Sequence, residues 1–369
     1  VPVAGNLAVA WVVVEGTTAA SALLVAFSAR REALEAGWKY LVLTTLGLSV
    51  ALLGVVVLAI AQARIGHHGL GALDWHALEA SAADLAHGPT LLAFVLILAG
   101  LATKIGWAPV HNWLPDAHSE APAPISAMLS AALLPAVMLV AWRCKATLGA
   151  AVGPSTARGL FLAFGLASIV VSVPFLWRRM PLKRLLAYSS LEHMGVLALG
   201  IGFGTPLAMA GVVVHLAGHA LAKSLGFYAS LSLLRVDPEA ARSPAEGVAA
   251  KSAPTAVAIG LSLAALGGVP PSPLFVSELL IVLGGVRAGE TAVASVAVVG
   301  LALGFLGLLH ALLAALLGGP GRTRVRRRHR ERPIVVLASA LGAAMLALTV
   351  AGLLLPGTDL VASLARGAL

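Results

Sequence analysis

Four ionisable residues lie inside or beside long apolar runs of the sequence, where a membrane protein tolerates charge least: Glu15, Lys104, Lys223 and Glu278. A charged side chain at the centre of a bilayer costs about 2.5–3.5 kcal/mol on insertion scales. Burial also disfavours the charged form of a carboxyl or amino group, so such a group can exchange a proton near neutral pH. Ionisable groups spread over four separate segments therefore predict an ion pathway through the membrane.

The segment VVVHLAGHALAKSLGF carries three titratable residues at helical spacing: His215, His219 and Lys223. Positions i, i+4 and i+8 share one face of a helix, so these groups line a single side. Two histidines at i and i+4 can also bind a metal ion, but no acidic third ligand lies nearby in the sequence. We favour a proton relay, or the lining of a hydrated channel, over a metal site.

Several candidates also have a structural interpretation, and these alternatives stay open. Glu15 could pair with a neighbouring helix, and Lys104, which precedes Pro109, could extend its amino group to the membrane surface. Glu192 and His193 open a predicted span, where they could act in a relay or as a polar cap at the interface.

Three further titratable residues follow Lys104 in KIGWAPVHNWLPDAH: His111, Asp116 and His118. We expect Asp116 and His118 to make helix-end and interhelical contacts, with proton uptake as their alternative role. His111 is a further candidate for the proton pathway on the same segment.

The composition is that of an integral membrane protein: 59% of the residues are hydrophobic, 11% are charged and the mean hydropathy is +0.95. A soluble domain has about a quarter of its residues charged. The single cysteine, Cys144, excludes a disulfide framework and any cysteine-ligated metal or iron–sulfur site. With no quinone, haem or flavin motif, we predict no cofactor and no resident metal in this chain. Because the sequence begins at Val1, we expect that an N-terminal part is missing, was processed or belongs to another chain.

Runs of about 20 apolar residues mark the membrane helices and predict an all-α, polytopic fold. Two spans are unusual, because Pro109 and Pro115 interrupt the third and GGVPPSP (267–273) interrupts the eighth. Broken helices expose carbonyl groups and half-helix ends, from which transporters build ion sites near the membrane midplane. The ten predicted spans are about 5–27, 39–62, 91–113, 122–146, 157–177, 184–204, 206–234, 252–284, 291–318 and 334–355.

Most of the Lys and Arg residues outside the spans lie in one set of alternate connections, which the positive-inside rule assigns to the cytoplasm. Both chain ends are then predicted outside a bacterial or archaeal cytoplasmic membrane. We interpret the arginine-rich segment 321–333 as a cytoplasmic loop near anionic lipid rather than a nucleic-acid patch. The outer segment 65–90 contains His67, His68 and His76, where we expect a loop with a short interfacial helix rather than a metal site.

Four stretches of the chain carry a resemblance to a known family: KIGWAPVHNWLPDAHSEAPAPISA (104–127), PLKRLLAYSSLEHMG (181–195), HALAKSLGF (219–227) and GGVPPSPLFVSELLI (267–281). In this order they resemble stretches of the antiporter-like subunits shared by respiratory complex I, Mrp-type cation/proton antiporters and membrane-bound group 4 NiFe hydrogenases. The resemblance covers roughly residues 8–318. SSLEHMG and PPSPLFVSELL are most similar to the hydrogenase-4 component F type.

The resemblance implies one antiporter-like transmembrane domain over residues 1–369, with two broken helices in inverted repeats. The first repeat would cover about 1–150, without some N-terminal helices that the family has. The second would cover about 155–320, and the last helix would lie at 334–355.

The resemblance also implies roles for individual residues. Glu15 would form the input-side pair with Lys104, and Glu278 would be the terminal group of the second broken helix. The hydrated axis between them would be lined by His193, His215, His219 and Lys223. Many relatives have Lys or His in the helix after the first break, whereas this chain has Pro135 at the apparent position, so a relay there would use water or the histidines.

The function that the resemblance implies is that of a proton-conducting membrane subunit of a redox-driven complex of the hydrogenase or complex I type. It would carry out no redox chemistry itself. NiFe and iron–sulfur clusters would belong to partner subunits, namely a peripheral redox module and other membrane subunits, with no nucleic acid involved. One alternative is a subunit of a Mrp-type cation/proton antiporter without a redox partner, and another is a structural scaffold.

Overall fold

The computed structural model describes residues 1–319 and 331–357, and over these ranges the regular secondary structure is helical apart from an isolated bridge between Asn6 and Asp74. Its helices are α1 (Leu7–Val25), α2 (Arg31–Arg64), α3 (Trp75–Ser81), α4 (His87–Ile105), α5 (Leu114–Glu120), α6 (Ala123–Met128), α7 (Leu134–Val152), α8 (Pro154–Leu176), α9 (Leu182–Phe203), α10 (Pro206–Val236), α11 (Val248–Lys251), α12 (Ala253–Leu266), α13 (Pro273–Arg287), α14 (Thr291–Leu317) and α15 (Arg332–Leu354).

The predicted all-α, polytopic fold is confirmed. Nine helical segments of the described residues are long and apolar enough to cross a membrane, and the pair α12–α13 forms a further, broken span. The second span begins earlier than expected, at Arg31. Most of the arginine-rich segment, residues 322–330, and the chain beyond 357 lie outside the described residues.

The first predicted break separates α4 from α5. α4 ends where Gly106 adopts a φ of +80°, a left-handed conformation that costs glycine no steric strain. Pro109 lies in the break, whereas Pro115 lies in the first turn of α5, where a proline needs no N–H partner. Trp113 Nε1 donates to the Thr103 carbonyl (2.7 Å), so one of the carbonyls freed at the end of α4 is satisfied.

The second break separates α12 from α13, as the proline-rich motif predicts. Gly268 again has a positive φ (+68°) beyond the end of α12. Ser272 then caps α13, its Oγ accepting from the Phe275 N–H at 3.2 Å. Thr349 of α15 donates to the Pro271 carbonyl (2.8 Å), so a neighbouring helix holds the break in place.

The fourth predicted span is interrupted by a wider turn that the sequence analysis did not anticipate. A π-helical segment, Leu129–Leu133, joins α6 to α7. Pro135, at the start of α7, has no N–H to donate, and its ring would clash with the carbonyl of Ala131 in a regular helix. The extra residue of a π-turn accommodates such a proline, and π-turns recur at functional sites.

α9 is the central helix and carries much of the site. Its residues from Leu185 to Phe203 are all buried, because it contacts α5, α8, α10 and α13. The approach to α8 is close: a Cβ at Gly195 would lie 2.8 Å from the Gly165 carbonyl oxygen. Small residues of this kind let membrane helices pack closely.

The outer segment 65–90 forms short helical turns, including α3, in agreement with the predicted loop and short helix. Asn6 Nδ2 donates to Asp74 Oδ1 and to the Leu70 carbonyl (both 2.7 Å), and Trp75 Nε1 donates to the Ala4 carbonyl (2.8 Å). These bonds fasten the segment to the N-terminal residues.

Candidate proton pathway

Most of the predicted candidates fall into two groups of buried and half-buried polar side chains. The input group lies between α1, α2 and α4 and contains Glu15, Thr18, Tyr40, Thr45 and Lys104. The central group lies between α9, α10 and α13 and contains Ser189, Glu192, His193, His215, His219, Lys223, Ser277 and Glu278.

Lys104 is the buried cation of the input group. Its side chain is 0% exposed, and Nζ donates to Thr18 Oγ1 (2.8 Å) and to Tyr40 Oη. Nζ also lies 4.5 Å from the centroid of the Tyr40 ring, within range of a cation–π contact. The amino group therefore does not extend to the membrane surface, and hydroxyl groups are its hydrogen-bond partners.

Glu15 lies one helical turn before Thr18 on α1. Its Oε1 accepts from Thr45 Oγ1 (2.9 Å), while its buried Oε2 has no hydrogen-bond partner among the described residues. Within the described ranges, Glu15 and Lys104 do not form an ion pair within 4.0 Å, although the two charges interact at longer range. The two residues of the expected pair are thus not in contact: Glu15 hydrogen-bonds Thr45, whereas Lys104 hydrogen-bonds Thr18 and Tyr40.

Lys223 is the buried cation of the central group. Its Nζ donates to the Leu186 carbonyl and to Ser189 Oγ, both at 2.5 Å, and the side chain is 0% exposed. Like Lys104, Lys223 donates to neutral acceptors. The negative charge that acts on it at longer range is the carboxylate of Glu192.

Glu192 is 2% exposed, so it is not the interfacial cap that one interpretation of the sequence offered. Its Oε1 lacks a hydrogen-bond partner within the part of the chain that the structure describes. The carboxylate lies against Gly304 of α14, which has no side chain to displace it. The charge of Glu192 acts on both Lys223 and Glu278, so Glu192 is electrostatically linked to both residues.

The histidines form a directed hydrogen-bond chain. His193 Nδ1 lies 3.1 Å from His215 Nε2, and His215 Nδ1 lies 2.8 Å from Ser277 Oγ. Because the Ser277 hydroxyl donates its one hydrogen to the Leu274 carbonyl (2.7 Å), it accepts from His215 Nδ1–H. His215 Nε2 is then a lone-pair acceptor for His193 Nδ1–H. A proton arriving at His193 Nε2 can therefore leave through Nδ1 to His215.

The predicted stripe on α10 is assembled as the spacing implies, and α9 adds His193 to it. The ring centroids of His193 and His219 lie 5.3 Å apart, and those of His215 and His219 lie 6.5 Å apart. Both ring nitrogens of His219 are buried without a protein partner in the described residues. Unpaired polar atoms in a polar cavity are the positions where ordered water binds.

Glu278 closes the central group at the second break. One of its carboxylate oxygens lies within 4.8 Å of a ring nitrogen of His193 and of His215. The side chain is half-buried and lines a cleft of about 400 Å³ beside Gly268 and Phe305. A carboxyl group at this position faces the histidines on one side and the cleft on the other.

Ser130 is a polar residue of the central region that the sequence analysis missed. It lies in the π-helical segment, and its Oγ is 2.9 Å from Ser190 Oγ; both side chains are fully buried. Ser190 neighbours Ser189, the acceptor for Lys223, so hydroxyl groups continue from the central group toward α6 and α7. In the sequence, the adjacent serines of AYSSLEH were the one indication of this row of hydroxyl groups. Pro135 itself is half-buried.

The three candidates after the first break take different positions. Asp116 makes surface ion pairs with Lys39 (3.3 Å) and Arg184 (3.1 Å), which are the interhelical contacts we expected. His111 lies half-buried in the break, with Nδ1 unpartnered in the described structure. His118 is fully buried, stacks on Phe227 at 5.4 Å and senses the charge of Lys223.

A cavity of about 570 Å³ is lined by Ser119 and Glu120, which follow His118 in the chain, and it lies on the side of the molecule where basic residues are concentrated. Lys183 Nζ donates to the carbonyls of Ser119 (2.7 Å) and Ala121, so it caps the C-terminal end of α5. The charged residues that line the cavity are Arg30, Glu32, Glu120, Lys183, Arg184 and Arg242.

Comparisons with known proteins agree with this architecture. Residues 4–304 match the family described as NADH:quinone oxidoreductase/Mrp antiporter, TM. The hydrogenase-4 component F homolog of Methylacidiphilum infernorum (isolate V4) is 35% identical over 276 residues, which are 75% of this chain and 58% of that protein. NADH-quinone oxidoreductase subunit N of Rhodopseudomonas palustris (strain BisA53) is 30% identical over 339 residues, 92% of this chain and 70% of that protein.

The fold is also that of a solved membrane subunit. A chain of the membrane-bound sulfane sulfur reductase, an archaeal respiratory membrane complex, superposes with a TM-score of 0.86 at 24% identity, covering 99% of this chain and 72% of that chain. The chain spans little more than half the length of its component F relative. The resemblance recognised in the sequence is confirmed: this chain is a multi-pass membrane protein that belongs to the NADH:quinone oxidoreductase/Mrp antiporter transmembrane family.

Proposed function

We propose that this chain conducts protons across the membrane as a subunit of a redox-driven complex of the hydrogenase or complex I type. The observation that carries the proposal is the pair of buried polar groups, in which two lysines are held by neutral acceptors next to broken helices. A purely structural lysine would be expected in a close ion pair, because an uncompensated buried charge is strongly destabilising. Groups that change protonation state during turnover need no permanent counter-ion.

The proposed path runs from the cavity near Lys183 through the central group to Glu278. His118 is fully buried and directly precedes Ser119 and Glu120 of the cavity lining. It stacks on Phe227 of α10, the helix that carries Lys223, so we assign it to proton uptake from the cytoplasm. The histidine chain then leads from His193 to His215, beside Glu278 and its cleft. Release would occur outward from Glu278.

The input group would control this path by its charge. A change in the charge of Glu15 alters the electric field at the Lys104 amino group, which has no close counter-ion among its hydrogen-bond partners. Lys104 then gains or loses its proton. Two repeats, about 1–150 and 155–320, would each contribute one broken helix, with both chain ends outside and the segment 321–333 in the cytoplasm. His111, near Lys104 in sequence, would support the first break.

The partners in this proposal are other membrane subunits and a peripheral module with NiFe or iron–sulfur clusters, since related chains bear the names of hydrogenase and NADH-quinone oxidoreductase subunits. The identity of these partners is tested by purifying the protein from its native membrane, identifying the proteins that accompany it and measuring their nickel and iron content. Nickel with iron–sulfur proteins would indicate a hydrogenase, and iron–sulfur proteins without nickel a complex I relative. Membrane subunits alone, with Na⁺- or K⁺-dependent proton flux in the absence of an electron donor, would support the Mrp-type antiporter instead.

Lys104→Ala is the direct test of proton conduction. We expect the assembled complex to lose proton translocation, because the input group loses its one buried cation. Lys39→Ala is the matched control, since Lys39 lies on the neighbouring helix α2 but makes half-exposed ion pairs with Glu35 and Asp116. Unchanged translocation in Lys104→Ala would refute the proposal, whereas lost assembly on neutralising Glu278 would favour a scaffold role.

A further inference from the structure

The central group has the composition and spacing of a metal site. His193 Nδ1 and His215 Nε2 lie 3.1 Å apart, and a Glu278 carboxylate oxygen lies within 4.8 Å of a ring nitrogen of each. The three side chains come from α9, α10 and α13. The acidic third ligand that is missing near the histidines in the sequence is thus supplied by another helix.

We propose that His193, His215 and Glu278 bind a divalent transition-metal ion of the Zn²⁺ type, and that the bound ion blocks the pathway by replacing the proton shared by the two imidazoles. The ion is an inhibitor rather than a resident cofactor. Its blocking effect rests on the proposed proton conduction, whereas its binding depends only on the three side chains.

The distances are close to what such an ion requires. Zn–N bonds of about 2.0–2.1 Å at a tetrahedral angle place two ligand nitrogens roughly 3.3 Å apart. The observed 3.1 Å between the imidazoles needs an opening of only a few tenths of an ångström. The Glu278 oxygen, within 4.8 Å of both rings, has a longer approach to make, and its half-buried side chain is free to shift because it borders the cleft of about 400 Å³ rather than tightly packed neighbours. A water molecule would complete four-coordination.

The second histidine is already oriented as a ligand. His215 Nδ1–H is held by Ser277 Oγ at 2.8 Å, which leaves the lone pair of Nε2 pointing toward His193. Such an outer hydrogen bond fixes the tautomer and ring of a metal-binding histidine. When the ion binds Nδ1 of His193, the hydrogen of that ring moves from Nδ1 to Nε2, a nitrogen that is unpartnered in the described structure. The two imidazoles therefore release no net proton.

Zn²⁺ and Co²⁺ titrations of the complete protein, purified in its native assembly, test the binding. We expect the wild type to bind one more ion per chain than His193→Asn or Glu278→Gln at ion concentrations that saturate only the wild-type site. At this site the Kd of each variant should be at least about tenfold weaker, since even the loss of an outer partner of a metal ligand lowers the metal affinity 10–100-fold. The control is the triple variant His67→Asn, His68→Asn and His76→Asn, which changes three exposed histidines. Equal binding in wild type, His193→Asn and Glu278→Gln, or loss of the ion in the control, would overturn the site.

Glu278→Cys keeps the test decisive if the other variants fail to assemble. A cysteine there should give bound Co²⁺ a thiolate charge-transfer band, and absence of that band in an assembled protein that still binds Co²⁺ would place the ion elsewhere. Zn²⁺ should also inhibit proton flux in the wild type. Binding without inhibition would refute the blocking step, while a protein with no proton flux at all would refute the proposed function and leave the binding result standing.

Discussion

Removal of the Ser277 hydroxyl tests whether the histidine chain carries protons. In the wild type, Ser277 Oγ donates to the Leu274 carbonyl and accepts from His215 Nδ1–H, which fixes His215 in the tautomer that accepts from His193. Ser277→Ala removes this acceptor. His215 then either keeps a buried N–H without a partner or adopts the other tautomer, which cannot accept the His193 proton.

The expected effect follows from the cost of the unpaired N–H. A buried donor left without a hydrogen bond costs about 1–3 kcal/mol. The transfer-competent tautomer of His215 is fully buried, so it carries this penalty. Each 1.36 kcal/mol corresponds to a factor of ten in rate, so proton transfer through His215 should slow roughly 5- to 150-fold.

Proton uptake by inside-out membrane vesicles, driven by the electron donor of the complex and normalised to assembled protein, measures this effect. Ser262→Ala is the matched control, because Ser262 is an equally buried serine that donates to the Ala222 carbonyl (2.8 Å) and not to any histidine. We expect that control to pump near the wild-type rate and Ser277→Thr, which keeps the hydroxyl, to retain most of it. Equal rates in Ser277→Ala and Ser262→Ala would refute the reasoning.

Two further changes test packing and uptake. Gly54→Val would place a Cβ 2.8 Å from the backbone nitrogen of Ile97, and overpacking of this kind costs about 1–3 kcal/mol, so the thermal stability of the detergent-solubilised protein should fall. Gly16→Ala, inside α1 with nothing within 4 Å of the new Cβ, should not lower that stability, because alanine favours a helix interior more than glycine does. His118→Phe keeps the ring against Phe227 but removes both ring nitrogens, so proton uptake should slow in normally assembled protein. Wild-type uptake in His118→Phe would exclude His118 from the path.

The features that the sequence predicted correctly depend on local rules. Apolar runs of membrane length predict the spans, and glycine and proline predict both breaks, since Gly106 and Gly268 adopt positive φ there. The spacing of His215, His219 and Lys223 predicts a shared face because neighbouring turns of one helix fix it. Each of these inferences needs only the geometry of a single segment.

The features that the sequence did not predict depend on which helices touch. Tyr40, the aromatic partner of Lys104, and Ser130, the partner of Ser190, lie on helices whose neighbours no local pattern identifies. The π-turn arises from the clash that Pro135 would cause, and its place before the proline is visible only after folding. The same reason explains why Glu278 was not recognised as a neighbour of the histidines.

The arrangement of charges favours transmission by electric field over a rigid ion-pair switch. Lys104 and Lys223 donate to hydroxyl or carbonyl oxygens, while the carboxylates of Glu15 and Glu192 act on them from beyond contact distance. Two unit charges about 8 Å apart at an effective dielectric constant near 20 interact by about 2 kcal/mol. That energy changes a protonation equilibrium more than tenfold, since each 1.36 kcal/mol is a factor of ten. A close ion pair would hold its proton too firmly to reset in every cycle, whereas charges beyond ion-pair contact influence one another and remain free to exchange protons.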